Sequence, residues 1–430
     1  MFSGAGLSAS TGMSTFSTPG GLYDRAKKRL KMPASGDGSR LFHAKFFAGR
    51  EADVHAFLAE LAAEAARAAP SPGHAALARM AGAGAAAAAA DGGGGGGGGG
   101  GVVVRHYTLN VDGLAGAAGM PLWDWDARGG DGERPAGAGG GDDGGGAGGG
   151  GNGPDGTTVE LHGNVRRMVC RSCGARADLT PRALRDMRDG RPLQCLRGGG
   201  GGRGGAGGGG GSKTGDDATA ADKSGSGGGG GGGGTGGTGP PSSRPPCPPG
   251  SGRTGILLYD DPDAALITPA APAWRLLAGD LARAAAVLWL GISFEQSASV
   301  AYFSRVVRGL REARDAREEG RRRAGEEGDG ANGAQAEQTA VEDKPSGRAP
   351  ATRAPPPLPP PPPALLPLQV IVNPSEDAMF NLLSGAGAGD LGKDVRLVEL
   401  RMGTDAALPA MAARLLSRPS VRARSKTQSL

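Results

Sequence analysis

Cysteine is scarce in this chain, with four residues in 430. So few cysteines exclude the disulfide framework of a small secreted protein and favour a metal site in a reducing compartment. The sequence has no run of 18 apolar residues and no signal-peptide pattern, so neither a membrane span nor secretion is predicted. The net charge is only +5. The arginine clusters at 321–323 and in the tail from Arg418 to Lys426 are interpreted as solvated charge, with loose attraction to nucleic acid or acidic partners as the alternative.

Glycine and proline are abundant instead: 85 and 32 residues, more than a quarter of the chain. Such low-complexity sequence buries too little apolar surface to offset the entropy of ordering it. We therefore predict long disordered inserts at 83–101, 127–156, 198–246 and 313–366. The remainder is sufficient for one compact α/β domain with a small attached module.

Strand-like and helical segments alternate along this remainder. Strands are predicted at 102–109, 286–290, 368–372 and 395–400, and helices at 41–69, 272–284 and 404–417. Alternation of this kind predicts a doubly wound parallel, Rossmann-like sheet with ligands at the carboxyl ends of its strands. The predicted organisation places this domain in 1–126, 254–312 and 367–417, a zinc-binding module in 157–253 and a basic tail in 418–430.

A glycine turn follows the first residues of the chain. Gly4, Ala5 and Gly6 begin a G-x-G-x-x-A pattern, in which two glycines allow backbone to approach a pyrophosphate at a helix N-terminus. In a chain so rich in glycine, a chance match is the alternative.

Polar residues follow two further segments. Asn110 and Asp112 come just after a predicted strand and could bind an amide ligand or form an Asx-type turn. His162 could act as a general base, because a neutral imidazole accepts protons near pH 7, or it could be structural.

The four cysteines have metal-ligand spacing only in part. Cys170 and Cys173 form a C-x-x-C pair, and Cys195 follows at about the distance of a second pair. Position 198 is glycine, so the remaining candidate is Cys247, beyond the 198–246 insert. A longer loop costs about 3 kcal/mol in entropy, whereas structural zinc contributes roughly 10–16 kcal/mol. We therefore predict a four-cysteine zinc site split by the insert, with a three-ligand or absent site as the alternative.

Taken in order, these segments resemble the sirtuins, a family of NAD-dependent protein-lysine deacylases with a structural zinc site. The resemblance covers nearly all of the non-repetitive chain. The matching motifs are Gly4-Ala5-Gly6-Leu7-Ser8, Gly20-Gly21-Leu22-Tyr23, Thr108-Leu109-Asn110-Val111-Asp112-Gly113-Leu114, Leu161-His162-Gly163, Leu257-Leu258-Tyr259, Gly291-Ile292-Ser293 and Val372-Asn373-Pro374. The Leu-Tyr form of the substrate segment is more similar to the fungal and protist histone-deacetylating branch.

The resemblance implies NAD as cofactor and an acylated lysine on a protein, such as a histone, as substrate. It implies His162 as general base, Asn110 and Asp112 in the nicotinamide pocket, and Leu257, Leu258 and Tyr259 pairing with the substrate backbone. It also implies that further residues hold the nucleotide: Gly4, Ala5, Gly6, Ser8, Phe16, Gly291, Ser293 and Asn373. The nucleus is the expected compartment, with the cytoplasm as the alternative; no membrane association and no direct nucleic-acid binding are expected.

Several family positions differ near the expected cofactor. Thr15 and Ser17 replace an acidic and a cationic residue, Leu109 replaces a glutamine and Ile292 a threonine. Loss of the arginine removes a charge-assisted bond of roughly 1.5–3 kcal/mol, unless Arg25 or Lys27 substitutes. The alternatives are therefore an ADP-ribosyltransferase or remover of longer acyl groups, and an inactive NAD or acyl-lysine binder. A zinc-ribbon nucleic-acid module lacks the aromatic residues it would need around the cysteines.

Overall fold

A computed structural model describes residues 1–16, 19–32, 38–90, 105–124, 157–195, 246–336, 365–387 and 391–416. The predicted insert 127–156, nearly all of the insert 198–246 and the basic tail 418–430 lie outside these residues.

Six parallel strands form the main sheet. In chain order they are β1 (Phe2–Ser3), β2 (His106–Thr108), β3 (Thr158–Glu160), β7 (Ala286–Leu290), β8 (Leu368–Val372) and β9 (Leu397–Leu400). Their spatial order is β3-β2-β1-β7-β8-β9, and every neighbouring pair is parallel. The direction of winding reverses between β1 and β7. This confirms the predicted doubly wound fold, in which a ligand-binding crevice is expected at the carboxyl ends of those two strands.

Three further strands form a separate antiparallel sheet, in the order β5-β4-β6. They are β4 (Gly163–Cys170), β5 (Arg176–Asp178) and β6 (Gly252–Ile256). The predicted boundary between 253 and 254 falls inside β6, and β3 belongs to the main sheet, so the small module begins at Gly163 rather than at 157. The first residue of β4, Gly163, therefore lies just after β3 of the main sheet, and it pairs with Ile256, the last residue of β6.

Eleven α-helices are described. They are α1 (Leu22–Arg29), α2 (Ala44–Gly49), α3 (Glu51–Arg67), α4 (Pro72–Ala90), α5 (Leu114–Ala117), α6 (Pro181–Arg188), α7 (Ala264–Ile267), α8 (Ala270–Leu281), α9 (Ser297–Ala336), α10 (Asp377–Gly385) and α11 (Thr404–Leu416). In the described part of the chain, none of the helices is both long and apolar enough to cross a membrane.

The main sheet is buried on both faces, as parallel sheets require. On one face Trp289 is completely buried and stacks on Phe2, with ring centroids 4.5 Å apart, beneath α8 and α9. On the other face Leu290 and Val372 pack with α4 and α11. Side chains alternate between faces along β7, which is why a continuous apolar run serves both layers.

Two predicted inserts are partly helical, which corrects the expectation of disorder. Helix α9 extends to Ala336, well into 313–366, and α4 extends to Ala90, into 83–101. The charged stretch of α9 is rich in good helix formers, and Arg314 and Arg311 bind Asp394 at 2.9 and 2.8 Å. Composition alone missed these tertiary contacts. The predicted helix 41–69 is likewise divided, into a 3-10 turn (Gly38–Phe42), α2 and α3.

The buried imidazole of His55 should make the fold sensitive to acid. Its ring is 1% exposed, and burial lowers its pKa from 6.5 to about 4. The unfolded chain therefore binds a proton that the folded chain does not, and stability falls as the pH drops from 6.5 towards 4. We expect His55→Leu to lessen the loss of unfolding free energy between pH 7 and 5 by about 2 kcal/mol.

Urea denaturation at a series of pH values measures this effect. An identical slope in wild type and His55→Leu would contradict the prediction.

Candidate functional site

The glycine turn packs directly against the loop that follows β7. Gly4 N–H donates to the Leu290 carbonyl at 3.0 Å, and Gly6 N–H donates to the Gly291 carbonyl at 2.9 Å. A Cβ on Gly6 would lie 2.7 Å from the Gly291 Cα, and Gly291 has φ of +61°. Only glycine allows this close approach. Gly4, Ala5, Gly6 and Gly291 are thus together at the predicted crevice.

The turn does not lead into an α-helix, which corrects one expectation. Two 3-10 turns follow it, Ala5–Leu7 and Ala9–Thr11, and the chain then reverses at Gly12, where φ is +81°. The first α-helix begins only at Leu22. An anion at this crevice would therefore meet the backbone of short turns rather than the dipole of a long helix.

Ser8, Asn110 and Asp112 form a buried polar cluster beside the turn. The Ser8 hydroxyl donates to Asp112 Oδ2 at 2.6 Å, and Asn110 Nδ2 donates to Ser8 Oγ at 3.1 Å. All three are no more than 6% exposed. Asp112 Oδ1 also accepts the Leu114 N–H at 2.9 Å, so the Asx-type cap weighed from sequence is present as well. The cluster ties the segment after β2 to the glycine turn.

His162 is held with one ring nitrogen fixed. Its Nδ1 lies 3.0 Å from the Leu109 carbonyl, which can only accept, so Nδ1 carries the proton and Nε2 keeps its lone pair. Burial lowers the His162 pKa to about 4, although the bond to Leu109 opposes the shift. The imidazole is therefore neutral near pH 7 and Nε2 can accept a proton.

Tyr302, a residue of α9, approaches the free nitrogen. Its hydroxyl lies 3.4 Å from His162 Nε2 and can donate to it. Burial raises the Tyr302 pKa to about 12, so the phenol keeps its proton. Sequence reasoning missed Tyr302, because it lies 140 positions from His162 in the chain and carries no local motif.

Glu160, two residues before His162 in the chain, is another titratable residue to which the sequence assigned no role. Its carboxyl accepts from Asn164 Nδ2 at 2.8 Å, and burial raises its pKa to about 7 while Arg167 opposes the shift. Glu160 ends β3 two residues before His162, and this spacing was the available signal.

Asn373 and Ser293 brace the far side of the crevice. Asn373 Nδ2 donates to the Ile292 carbonyl at 2.8 Å, and Asn381 Nδ2 donates to the Ser293 carbonyl at 3.1 Å. The Asn373 side chain is almost fully buried. Its amide supports the loop after β7, and contact with a nucleotide stays a prediction.

Phe16 lies in an aromatic cluster with Tyr23 and Phe42. Its ring centroid is 5.7 Å from that of Phe42 and 5.8 Å from that of Tyr23. Ser17 lies outside the described residues. The suggestion that Arg25 replaces a missing cation is not supported, because its guanidinium forms a two-armed pair with Glu64, at 2.8 and 2.5 Å.

The segment Leu257–Tyr259 lies beside His162, as the substrate prediction requires. Leu257 N–H donates to the His162 carbonyl at 2.9 Å, and Tyr259 N–H donates to the Phe42 carbonyl at 2.7 Å. Leu258 N–H donates to the Asp261 carboxylate. The protein itself uses these three N–H groups. A peptide could therefore pair with this segment only by donating hydrogen bonds to the carbonyl groups of the segment.

The four cysteines come together at one end of the small sheet. Their sulfurs all lie within 4.8 Å of one another, with Cys173 and Cys195 at 3.6 Å. A tetrahedral zinc–thiolate site has sulfurs about 3.8 Å apart, given zinc–sulfur bonds of about 2.3 Å. Cys247 completes the group, as predicted. The donor set fits zinc, which would tie the ends of the 196–246 segment to β4.

No family model matches the chain, and no curated protein matches it. Solved structures of Sir2 homologues do match. One, a mutant in complex with 2'-O-acetyl ADP ribose, gives a TM-score of 0.44 at 13% identity over 100% of this chain and 93% of that chain. A Sir2 homologue–NAD complex gives a TM-score of 0.41 at 13% identity, over 96% of this chain and 88% of that chain. A Sir2 mutant with a deacetylated p53 peptide and 3'-O-acetyl ADP ribose gives a TM-score of 0.43 at 14% identity, over 96% of this chain and 90% of that chain.

Proposed function

We propose that this chain is an NAD-dependent protein-lysine deacylase of the sirtuin type. The observation that supports this most strongly is the position of His162. Its Nδ1 is fixed by the Leu109 carbonyl, and the next residue, Asn110, bonds Ser8 of the glycine turn at 3.1 Å. A neutral imidazole and a turn suited to a dinucleotide therefore border one crevice.

The residues around the crevice suit the chemical parts of NAD. Asn110 and Asp112 offer an amide and a carboxylate for the nicotinamide carboxamide, and the glycine turn leaves room for a pyrophosphate. NAD, if bound here, would supply the ribose carbon from which nicotinamide leaves as the acyl-lysine oxygen attacks, and the ribose hydroxyl that receives the acyl group when free lysine is released. In this proposal His162 Nε2 takes the proton of a ribose hydroxyl, while the Leu109 carbonyl holds the ring in the required tautomer.

The protein substrate would lie along Leu257–Tyr259. Leu257 contacts the His162 carbonyl, so a peptide paired with this segment would bring its acyl-lysine towards the imidazole. Phe42 joins this segment to Phe16, which would cover the reacting carbon. The proposed substrates are acyl-lysine proteins, and a synthetic acetyl-lysine peptide is a suitable first probe.

A weaker or redirected activity is the second candidate. Arg25 is paired with Glu64, so this guanidinium is not free to act where Ser17 replaces the family arginine. Loss of one charge-assisted bond costs roughly 1.5–3 kcal/mol, or about 10- to 150-fold in binding or rate. This observation favours reduced turnover, ADP-ribosyl transfer, or binding of NAD without turnover.

One assay separates these candidates. Purified protein is incubated with NAD and either an acetylated histone peptide or an acetyl-lysine peptide with glutamate flanks, and nicotinamide release and product masses are followed. Nicotinamide with deacetylated peptide supports the deacylase, whereas nicotinamide with a heavier protein product supports ADP-ribosyl transfer. NAD binding without nicotinamide release would replace the proposal with an inactive binder.

Gly6→Ala should damage the cofactor turn. The added Cβ would lie 2.7 and 2.9 Å from backbone atoms of Gly291, which cannot move like a flexible side chain. We expect a loss of about 1–3 kcal/mol in stability, together with weaker NAD binding, measured by denaturant unfolding and calorimetry. The matched control is Gly82→Ala in α4, where a Cβ meets open space; this change should stabilise by about 0.5–1 kcal/mol. Wild-type stability and NAD affinity in Gly6→Ala would refute the role of the turn.

A further inference from the structure

A basic surface adjoins the proposed substrate segment. One part is a depression of about 460 Å³ lined by Arg40, His43, Lys45, Phe46, Gly49 and Arg50. A second depression is lined by Asp24, Lys27, Lys28, Lys31 and Met32. Arg50 joins the two, because its guanidinium reaches the Leu30 carbonyl at the end of α1. We refer to these residues together as the basic surface.

Several cations on the basic surface are uncompensated. Arg50 pairs with Asp53, but within the described ranges no carboxylate pairs with Lys28, Lys31, Arg40 or Lys45, all of which are exposed. Unpaired, solvated cations contribute little to stability. They do create a positive potential that attracts acidic ligands and repels basic ones.

The basic surface is continuous with the substrate segment. His43 pairs with Tyr259 through a parallel bridge, their ring centroids are 5.0 Å apart, and Ala44 N–H donates to the Tyr259 carbonyl at 2.9 Å. A peptide that extends along Leu257–Tyr259 would therefore leave the segment beside Arg40 and Lys45. An exposed carboxylate, Asp260, lies beside this exit, 3.9 Å from the His43 ring.

We propose that the basic surface binds an acidic stretch of the substrate polypeptide flanking the acyl-lysine. This inference rests on the proposed function, because it takes Leu257–Tyr259 as the substrate segment. A peptide is favoured over nucleic acid because the cations border that segment and because Asp24, Glu51 and Asp53 interrupt them. A lysine-rich histone tail would be the least favoured peptide.

Binding of matched peptides to the full chain tests the proposal. Three fluorescent acetyl-lysine peptides of equal length carry glutamate, glutamine or lysine flanks, and fluorescence anisotropy gives Kd with NAD absent and present. We expect the glutamate peptide to bind about 3- to 10-fold more tightly than the glutamine peptide, from two surface ion pairs. The lysine peptide should bind most weakly, and 0.5 M salt should remove the difference.

Two double variants localise the effect. Arg40→Gln with Lys45→Gln should abolish the preference for glutamate, whereas Arg321→Gln with Arg322→Gln, an equal loss of charge on exposed positions of α9, should keep it. Equal affinities for all peptides in the wild type, or an unchanged preference in the first variant, would overturn the proposal. So would a DNA duplex that binds more tightly than the glutamate peptide and loses affinity in that variant. Because binding is measured apart from turnover, selective binding without nicotinamide release would refute the proposed enzyme and leave the basic surface intact.

Discussion

His162→Ala should reduce nicotinamide release by roughly 10²- to 10⁴-fold, the usual contribution of a positioned general base. The reason is geometric: Nδ1 is committed to the Leu109 carbonyl, so Nε2 is the nitrogen that can take a proton. NAD affinity should change by less than about tenfold, because Ser8, Asn110 and the glycine turn remain in place. Initial rates of nicotinamide release and calorimetric NAD titration measure the two effects. Unchanged turnover would refute the assignment of the base.

The pH profile distinguishes a catalytic His162 from a structural one. Since burial lowers its pKa to about 4, the imidazole is deprotonated throughout pH 6–8, and the rate should not fall at pH 6.5, where an ordinary histidine protonates. A second test is Tyr302→Phe, which removes a hydroxyl donor 3.4 Å from His162 Nε2. That donor favours the neutral ring, so its loss should raise the His162 pKa and move the acid decline to higher pH, with turnover reduced no more than about fivefold. A profile unaffected by Tyr302→Phe would mean that the phenol does not act on the base.

The fold could be predicted because its signals are local. The apolar runs at 286–290 and 368–372 are β7 and β8, confirmed to the residue, since a strand buried on both faces leaves little freedom in composition. The helical part of 313–366 could not be predicted in this way. This stretch is charged rather than apolar, and the Asp394 carboxylate that binds the Arg314 guanidinium lies 80 residues further along the chain.

The sequence could suggest which residues belong to the candidate site, but it could not show which of them contact one another. Glycine turns, Asn110, Asp112 and His162 carry sequence patterns, whereas the bond of Asn110 to Ser8 and the approach of Tyr302 join residues more than 100 positions apart. Arg25 shows the limit most clearly. Its closeness to Phe16 in sequence suggested a cofactor role, but Glu64, on a helix 39 residues away, binds it instead.

Zinc removal should unfold the small module and stop turnover. Structural zinc contributes roughly 10–16 kcal/mol in small domains, more than the whole stability of many domains. The module also holds the site, because β4 begins at Gly163, the residue after His162, and Gly163 pairs with Ile256, the residue before Leu257. A chelator should therefore lower the melting temperature and abolish nicotinamide release together.

Cys247→Ser decides whether the site has four ligands or three. Because the Cys247 sulfur lies within 4.8 Å of the other three, this variant should lose as much zinc affinity as Cys195→Ser, despite the long insert between the two positions. The matched control is Ser384→Ala, at an exposed position of α10, which should retain about one zinc per chain by elemental analysis. Full zinc content in Cys247→Ser would leave a three-cysteine site, and the insert would then no longer join two halves of a metal centre.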